Sequence, residues 1–136
     1  MKSLRLMLLL AVTMLTVGAS AKIEKIDEVY MFGFSASFKD SIIYATDIQN
    51  VQDVWMETKN NFLIERDEYS HQLKVYLTEK LQLKDRVCIV FFYTKKKKAE
   101  KEYLKLMKKY KKGYDVRYIN ATQFKFEAID SDPEEE

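Results

Sequence analysis

The sequence predicts an α/β fold, with α+β as the alternative: a single mixed β-sheet of about five strands with two helices, in the order ββαβαββ. Three observations predict it. Residues 29–38 and 41–48 each alternate in character and are separated only by Lys39 and Asp40, the pattern of an antiparallel hairpin with a tight turn. The run Arg86-Val87-Cys88-Ile89-Val90-Phe91-Phe92-Tyr93 is apolar on both alternating faces, as in a strand covered from both sides. Two further segments, 68–83 and 95–112, repeat their apolar residues at helical spacing.

Ahead of these elements, Met1 to Ala21 reads as a secretory signal peptide. Lys2 and Arg5 give a positive start, Leu6 to Val17 is apolar, and Ala19-Ser20-Ala21 supplies a small-x-small cleavage site. The apolar run is shorter than the ~20 residues of a membrane span. The chain is therefore expected to be exported, periplasmic or secreted, with no transmembrane segment after cleavage. The expected division is a signal peptide over 1–21, one globular domain over 22–129 and a disordered acidic tail over 130–136. Removing Lys2 and Arg5 from the 23 basic residues leaves 21, against 16 acidic ones before Asp130, so the globular part is positive. The tail holds the remaining five acids and the only proline, a composition that buries nothing and offers counter-charge to a cationic surface.

In the hairpin, Tyr30, Phe32, Phe34, Ala36 and Phe38 share one face, while Met31, Gly33, Ser35 and Ser37 share the other. The small face suits either a closely packed helix or solvent. Residues 49–66 follow no single period although Trp55, Met56, Phe62, Leu63 and Ile64 are apolar; an irregular segment packed on the core is expected. The first helix places Tyr69, Leu73, Tyr76, Leu77 and Leu83 on one stripe, with His71 turned to water. Cys88, the only cysteine, is expected to be a small core residue of its strand. The second helix has Thr94 as its expected N-cap and Gly113 beyond its C-terminus. Strands over 114–118 and 123–127 complete the order. The first and third strands are expected at the centre, with a right-handed parallel crossover between Arg86 and Ile119.

The run Val29-Tyr30-Met31-Phe32-Gly33-Phe34-Ser35-Ala36-Ser37-Phe38, the strand Cys88-Ile89-Val90-Phe91-Phe92, the lysine-rich helix and Tyr114-Asp115-Val116-Arg117-Tyr118 together resemble small signal-peptide-bearing proteins of Bacteroides-type bacteria. That resemblance covers most of the chain after the leader. It implies a Gram-negative cell envelope and carries no activity and no site residue.

Chemistry concentrates in the second helix. Ala99, Tyr103, Leu106, Met107 and Tyr110 form its apolar stripe, and from Lys95 to Lys112 ten lysines stand against Glu100 and Glu102. The helix dipole disfavours cations in a first turn, so helix stability alone does not place four lysines there. Lys95, Lys96, Lys97, Lys98, Lys101, Lys105 and Lys108 are the candidate anion- or partner-binding residues, the alternative being a solubilising face. Lysine without arginine is a point-charge pattern of low selectivity. The expected partner is a protein or an anionic envelope component; specific nucleic-acid recognition is not expected, because Tyr103 and Tyr110 belong to the buried stripe.

Constellations for catalysis are lacking. Beyond the leader only Gly33 and Gly113 are glycines, which excludes a Gly-rich phosphate loop, and one His with one Cys cannot build the usual zinc site. A serine triad would need the outward His71. Asp40 and Asp47 flank the second strand as turn residues or, less simply, as an acid–base pair. No catalytic, metal-ligating or cofactor-binding residue is assigned. The reading is an exported, non-enzymatic binding module; the alternative is a small periplasmic enzyme, hydrolase-like, with an unrecognised site. Asn120-Ala121-Thr122 and Asp40-Ser41-Ile42 also match short glycosylation patterns.

Overall fold

One strand organises the molecule. In the computed structural model, which describes residues 22–130, β1 (Ile23–Ala36) is 14 residues long and pairs with three others. The expected signal peptide (1–21) and the expected acidic tail after Asp130 lie outside the described residues. Along one edge of β1 run β2 (Ile42–Thr46) and then β3 (Gln49–Glu57), both antiparallel to it. Phe34 faces Ala45 while Met31 faces Gln49, so three steps along β1 match four along its partner. The extra residue is a bulge at Thr46–Ile48. Thr46 fills the gap it leaves: its Oγ1 accepts the Gly33 N–H at 2.8 Å and donates to the Asp47 carbonyl at 3.0 Å.

The short β4 (Phe62–Leu63) adds to β3, and β6 (Asp115–Ile119) adds parallel to β2. On the opposite edge of β1 lies β5 (Val87–Tyr93), antiparallel to β1 over Tyr30–Ala36. The sheet is thus mixed, has six strands and carries two helices, α1 (Arg66–Lys80) and α2 (Lys96–Tyr110). That is the expected mixed α/β sheet, of α+β type. β5 and β6 are parallel, as expected of a strand–helix–strand crossover.

Four expectations need correction. The aperiodic segment 49–66 is mostly strand, β3 and β4. Its pattern is unreadable because Asp53 sits at φ 59° inside β3, so the buried residues fall at Val51, Val54 and Met56 instead of alternating. Residues 123–127 are not a strand: two glutamine side chains replace the ladder. Gln49 donates to the Phe124 carbonyl and accepts the Phe126 N–H, both at 2.8 Å, and Gln72 does the same with both backbone groups of Glu127. β5 is not central but pairs with β1 alone among the described residues; alternation reports which faces are covered, not which edges are bonded. Finally, the N-cap of α2 is Lys95, without a side-chain cap, and the C-cap is Lys111. Gly113 is not left-handed, so the end of α2 needs no glycine.

The helices pack on opposite faces. On the small face, Met31, Val90, Tyr69, Leu73, Leu77, Phe124 and Phe126 form one buried cluster. Of the two options for that face, the close helix is realised: a Cβ on Gly33 would lie 2.7 Å from Leu73 Cδ2 and 3.1 Å from Phe126 Cζ. On the aromatic face, Phe32, Phe34, Ile43, Ala45 and Met107 are buried with Tyr103 and Tyr110 against them. Phe32 stacks on Phe91 at 5.2 Å and meets Tyr103 edge-on at 5.0 Å. Burial pushes the Tyr103 phenol up to about 12, so it stays neutral under the sheet.

Candidate functional site

α2 follows β5 through Thr94 and Lys95 and runs back over the aromatic face. Its stripe of Ala99, Tyr103, Leu106, Met107 and Tyr110 turns inward, so the lysines must turn out. All seven candidates, Lys95, Lys96, Lys97, Lys98, Lys101, Lys105 and Lys108, are exposed. They do not form one site. Lys95–Lys98 occupy the first turn, which holds no acidic residue. Lys105 and Lys108 join Lys109 and Lys112 around a shallow depression of about 270 Å³ further along.

No α2 lysine forms an ion pair with a carboxylate among the described residues. The acids near the end of the sheet are committed elsewhere: Asp85 to Lys39, Asp40 to Arg86 and Asp115 to Arg117, at 3.0–3.3 Å. Among the described residues, the positive charge of α2 is therefore left without salt-bridge partners.

A second feature lies where α2 ends. The helix stops at Tyr110, before it has covered the first residues of β5 and the last of β1. Phe34, Ile43, Ile89 and Phe91 floor the resulting groove, Tyr110 and Tyr114 wall one side, and Phe38 and Val87 form the rim; its volume is about 320 Å³. Several of these side chains remain in water: Phe38 is 100 %, Val87 50 % and Ile89 46 % exposed. The groove and the lysines meet at Tyr110, whose ring centroid lies 5.7 Å from Lys109 Nζ.

Sequence reasoning missed this groove. Val87, Ile89 and Phe38 were visible as apolar residues on regular alternation, but alternation cannot tell a strand end beneath a helix from one just past it.

The outer edge of β5 is blunted. The Gly33 N–H points to Thr46, so Gly33 and Val90 form a pair whose polar groups face away from each other. The outward Val90 carbonyl accepts two hydrogen bonds from Arg66, Nε at 3.0 Å and Nη2 at 2.7 Å, and the guanidinium lies over Phe92. A charged plug of this kind protects an edge strand from pairing with other chains.

The remaining candidates resolve into structure. Asp40 accepts the Ile42 N–H at 3.0 Å and binds Arg86; the backbone bond first, then Arg86, hold its carboxyl below the usual range. Asp47 accepts the Ala121 N–H at 3.2 Å. The two carboxylates are turn anchors, not an acid–base pair. Arg86 itself is buried, bonded to Ser35 and to the Ile42 carbonyl, and stacked on Tyr44. His71 faces water as expected. It shares a shallow depression with Asp67, Ser70 and Cys88, yet no hydrogen bond joins it to any of them among the described residues.

Cys88 is a correction: it is half-buried at the margin of the small-face cluster, not sealed within it. Burial still pushes its thiol up, away from the thiolate that a nucleophile needs. Asn120 folds its carboxamide oxygen back onto the Thr122 N–H, an Asx turn. Among the described residues, no cluster of three His, Cys, Asp or Glu is placed to hold a metal, and no helix is long and apolar enough to cross a membrane.

Set against protein-family models, curated proteins and solved structures, this chain matches none of them.

Proposed function

We propose that this protein is an exported binding module of the Gram-negative envelope, periplasmic or secreted, that contacts an anionic envelope component through α2 and carries no catalytic chemistry. Export rests on the leader pattern of residues 1–21, and the Gram-negative setting on the resemblance of its strands and lysine helix. One observation carries the contact surface. The lysines of α2 are exposed and free of carboxylate partners among the described residues, including in a first turn where the helix dipole opposes them. A face that only kept the chain soluble would do as well with mixed charges in favourable positions.

The test is co-sedimentation with envelope membranes across a salt series, comparing wild type with a variant carrying Lys95→Gln, Lys96→Gln, Lys97→Gln and Lys98→Gln. Wild type should bind at low salt and release as the Debye length shrinks to ~8 Å at physiological ionic strength. The variant should bind more weakly with a flatter salt dependence, its thermal midpoint unchanged or slightly raised. Equal binding by the two proteins would remove the lysines of the first turn from the contact.

A further inference from the structure

We propose that the groove at the end of α2 is the apolar half of a lipid-surface contact: Phe38 inserts among the acyl chains of an anionic phospholipid leaflet while the α2 lysines hold its headgroups. This rests on the reading of α2 as an anion-binding face and names the anion. Three observations point to a leaflet. The groove is lined mostly by apolar side chains, and Val87 and Ile89 within it remain 50 % and 46 % exposed, so it presents a patch of apolar surface. Phe38, at the tip between β1 and β2, is 100 % exposed; an aromatic ring that no described residue covers is suited to the boundary between headgroups and chains.

Charge makes the third argument. Lys109 Nζ lies 5.7 Å from the ring of Tyr110, which walls the groove. A cation thus stands one side chain away from an apolar floor, the arrangement of a surface that binds acyl chains and anionic headgroups together. A second copy of this chain is disfavoured as the occupant. Each copy would bring ten lysines against two glutamates over residues 95–112, and like charges across an interface repel. Strand addition at β5 is opposed by Arg66 on the Val90 carbonyl.

The experiment uses the chain from Lys22 onward, which contains every described strand, both helices and both apolar clusters; circular dichroism checks that each variant is folded. Vesicles of phosphatidylglycerol with phosphatidylcholine, and of phosphatidylcholine alone, are floated with protein at low salt and at about 0.5 M salt, where the Debye length is ~4 Å. Wild type should bind the anionic vesicles, weaken with salt and keep a salt-resistant remainder. Phe38→Ser should lose that remainder, with partitioning about tenfold weaker or more at both salts, the scale of withdrawing one large apolar side chain. In a Phe38→Trp variant, lipids brominated on their acyl chains should quench fluorescence beyond the baseline set by Trp55 in wild type.

If Phe38→Ser binds like wild type, if binding vanishes entirely at 0.5 M salt, or if the bromines quench Phe38→Trp no more than wild type, the groove has no part and α2 acts by charge alone. Absence of binding to anionic vesicles even at low salt would overturn the lipid assignment, while envelope-membrane binding that still depended on the first-turn lysines would leave the broader reading standing. Equal binding to phosphatidylcholine alone would overturn the anionic half.

Discussion

The two faces of the sheet are built to different ends, although each is covered by a 15-residue helix. On the α1 face the strands offer small residues, the helix approaches closely over Gly33, and Phe124 and Phe126 close what the helix leaves open. On the α2 face the strands offer aromatic rings, which meet Tyr103 and Tyr110 of the helix edge-on, and among the described residues no segment closes the sheet beyond Tyr110. The first face is sealed and the second is left with a groove. A helix of given length covers only so much sheet (~22 Å for 15 residues), and an extra strap decides whether the remainder is core or surface. Gln49 and Gln72 supply the strap's backbone partners on one side; the other side has no counterpart among the described residues.

Breaking the close approach should have the largest effect. Leu73→Ala removes a fully buried side chain and should cost ~2–5 kcal/mol. Gly33→Ala alone should cost ~1–3 kcal/mol by overpacking against Leu73 and Phe126. Combined, the two should cost about 1 kcal/mol less than their sum, because the new Cβ then occupies space that Leu73 has vacated. Urea denaturation of the four proteins measures this, and strict additivity would mean the Gly33–Leu73 contact does not set the spacing of this face.

The strap comes next. Gln49→Leu strands the Phe124 carbonyl and the Phe126 N–H, each bonded to the Gln49 amide at 2.8 Å, at ~1–3 kcal/mol per buried group left unsatisfied. Amide exchange should accelerate at Phe126 and leave the α2 amides nearly unchanged. Unaltered protection of Phe126 would show that the phenylalanines alone hold the segment.

The smallest effect belongs to the margin of the α1 face, where Arg86 joins Ser35, Asp40 and the Ile42 carbonyl. Because the Asp40 carboxyl is held below its ordinary value in the folded state, its contribution is present above the unfolded value of ~3.9 and is lost as pH falls through the lower folded value. Asp40→Asn should therefore flatten the acid limb of the stability profile below about pH 4 while changing little at neutrality. An identical acid limb would mean that Ser35, Tyr44 and the Ile42 carbonyl hold Arg86 without help from Asp40.

Regular spacing made much of this legible. The stripe of α2, the stripe of α1, the outward His71 and the hairpin of β1 with β2 all follow from period alone, since each depends on one element facing one surface. β3 was not legible because a single left-handed residue, Asp53, shifts its alternation. The strap was misread as a strand because Phe124, Lys125 and Phe126 alternate as a strand would, while its hydrogen-bonding partners are side chains 75 and 77 residues away in sequence and closer only in space. Within the candidate site, the lysines were readable as charge on a helix; the groove was not, because it is defined by where α2 stops relative to β5.

By itself, then, the sequence determined which residues turn inward, since the periods of helix and strand are properties of the local backbone and burial follows the apolar side chains. It determined the concentration of positive charge on one helix for the same reason. Tertiary structure alone decided that β5 lies at an edge, that Arg66 plugs its outer carbonyl, that Gly33 brings one helix close, and that the other helix ends short of the sheet. Those outcomes depend on distances between elements far apart in the chain, and periodicity within one element carries no information about what lies beside it.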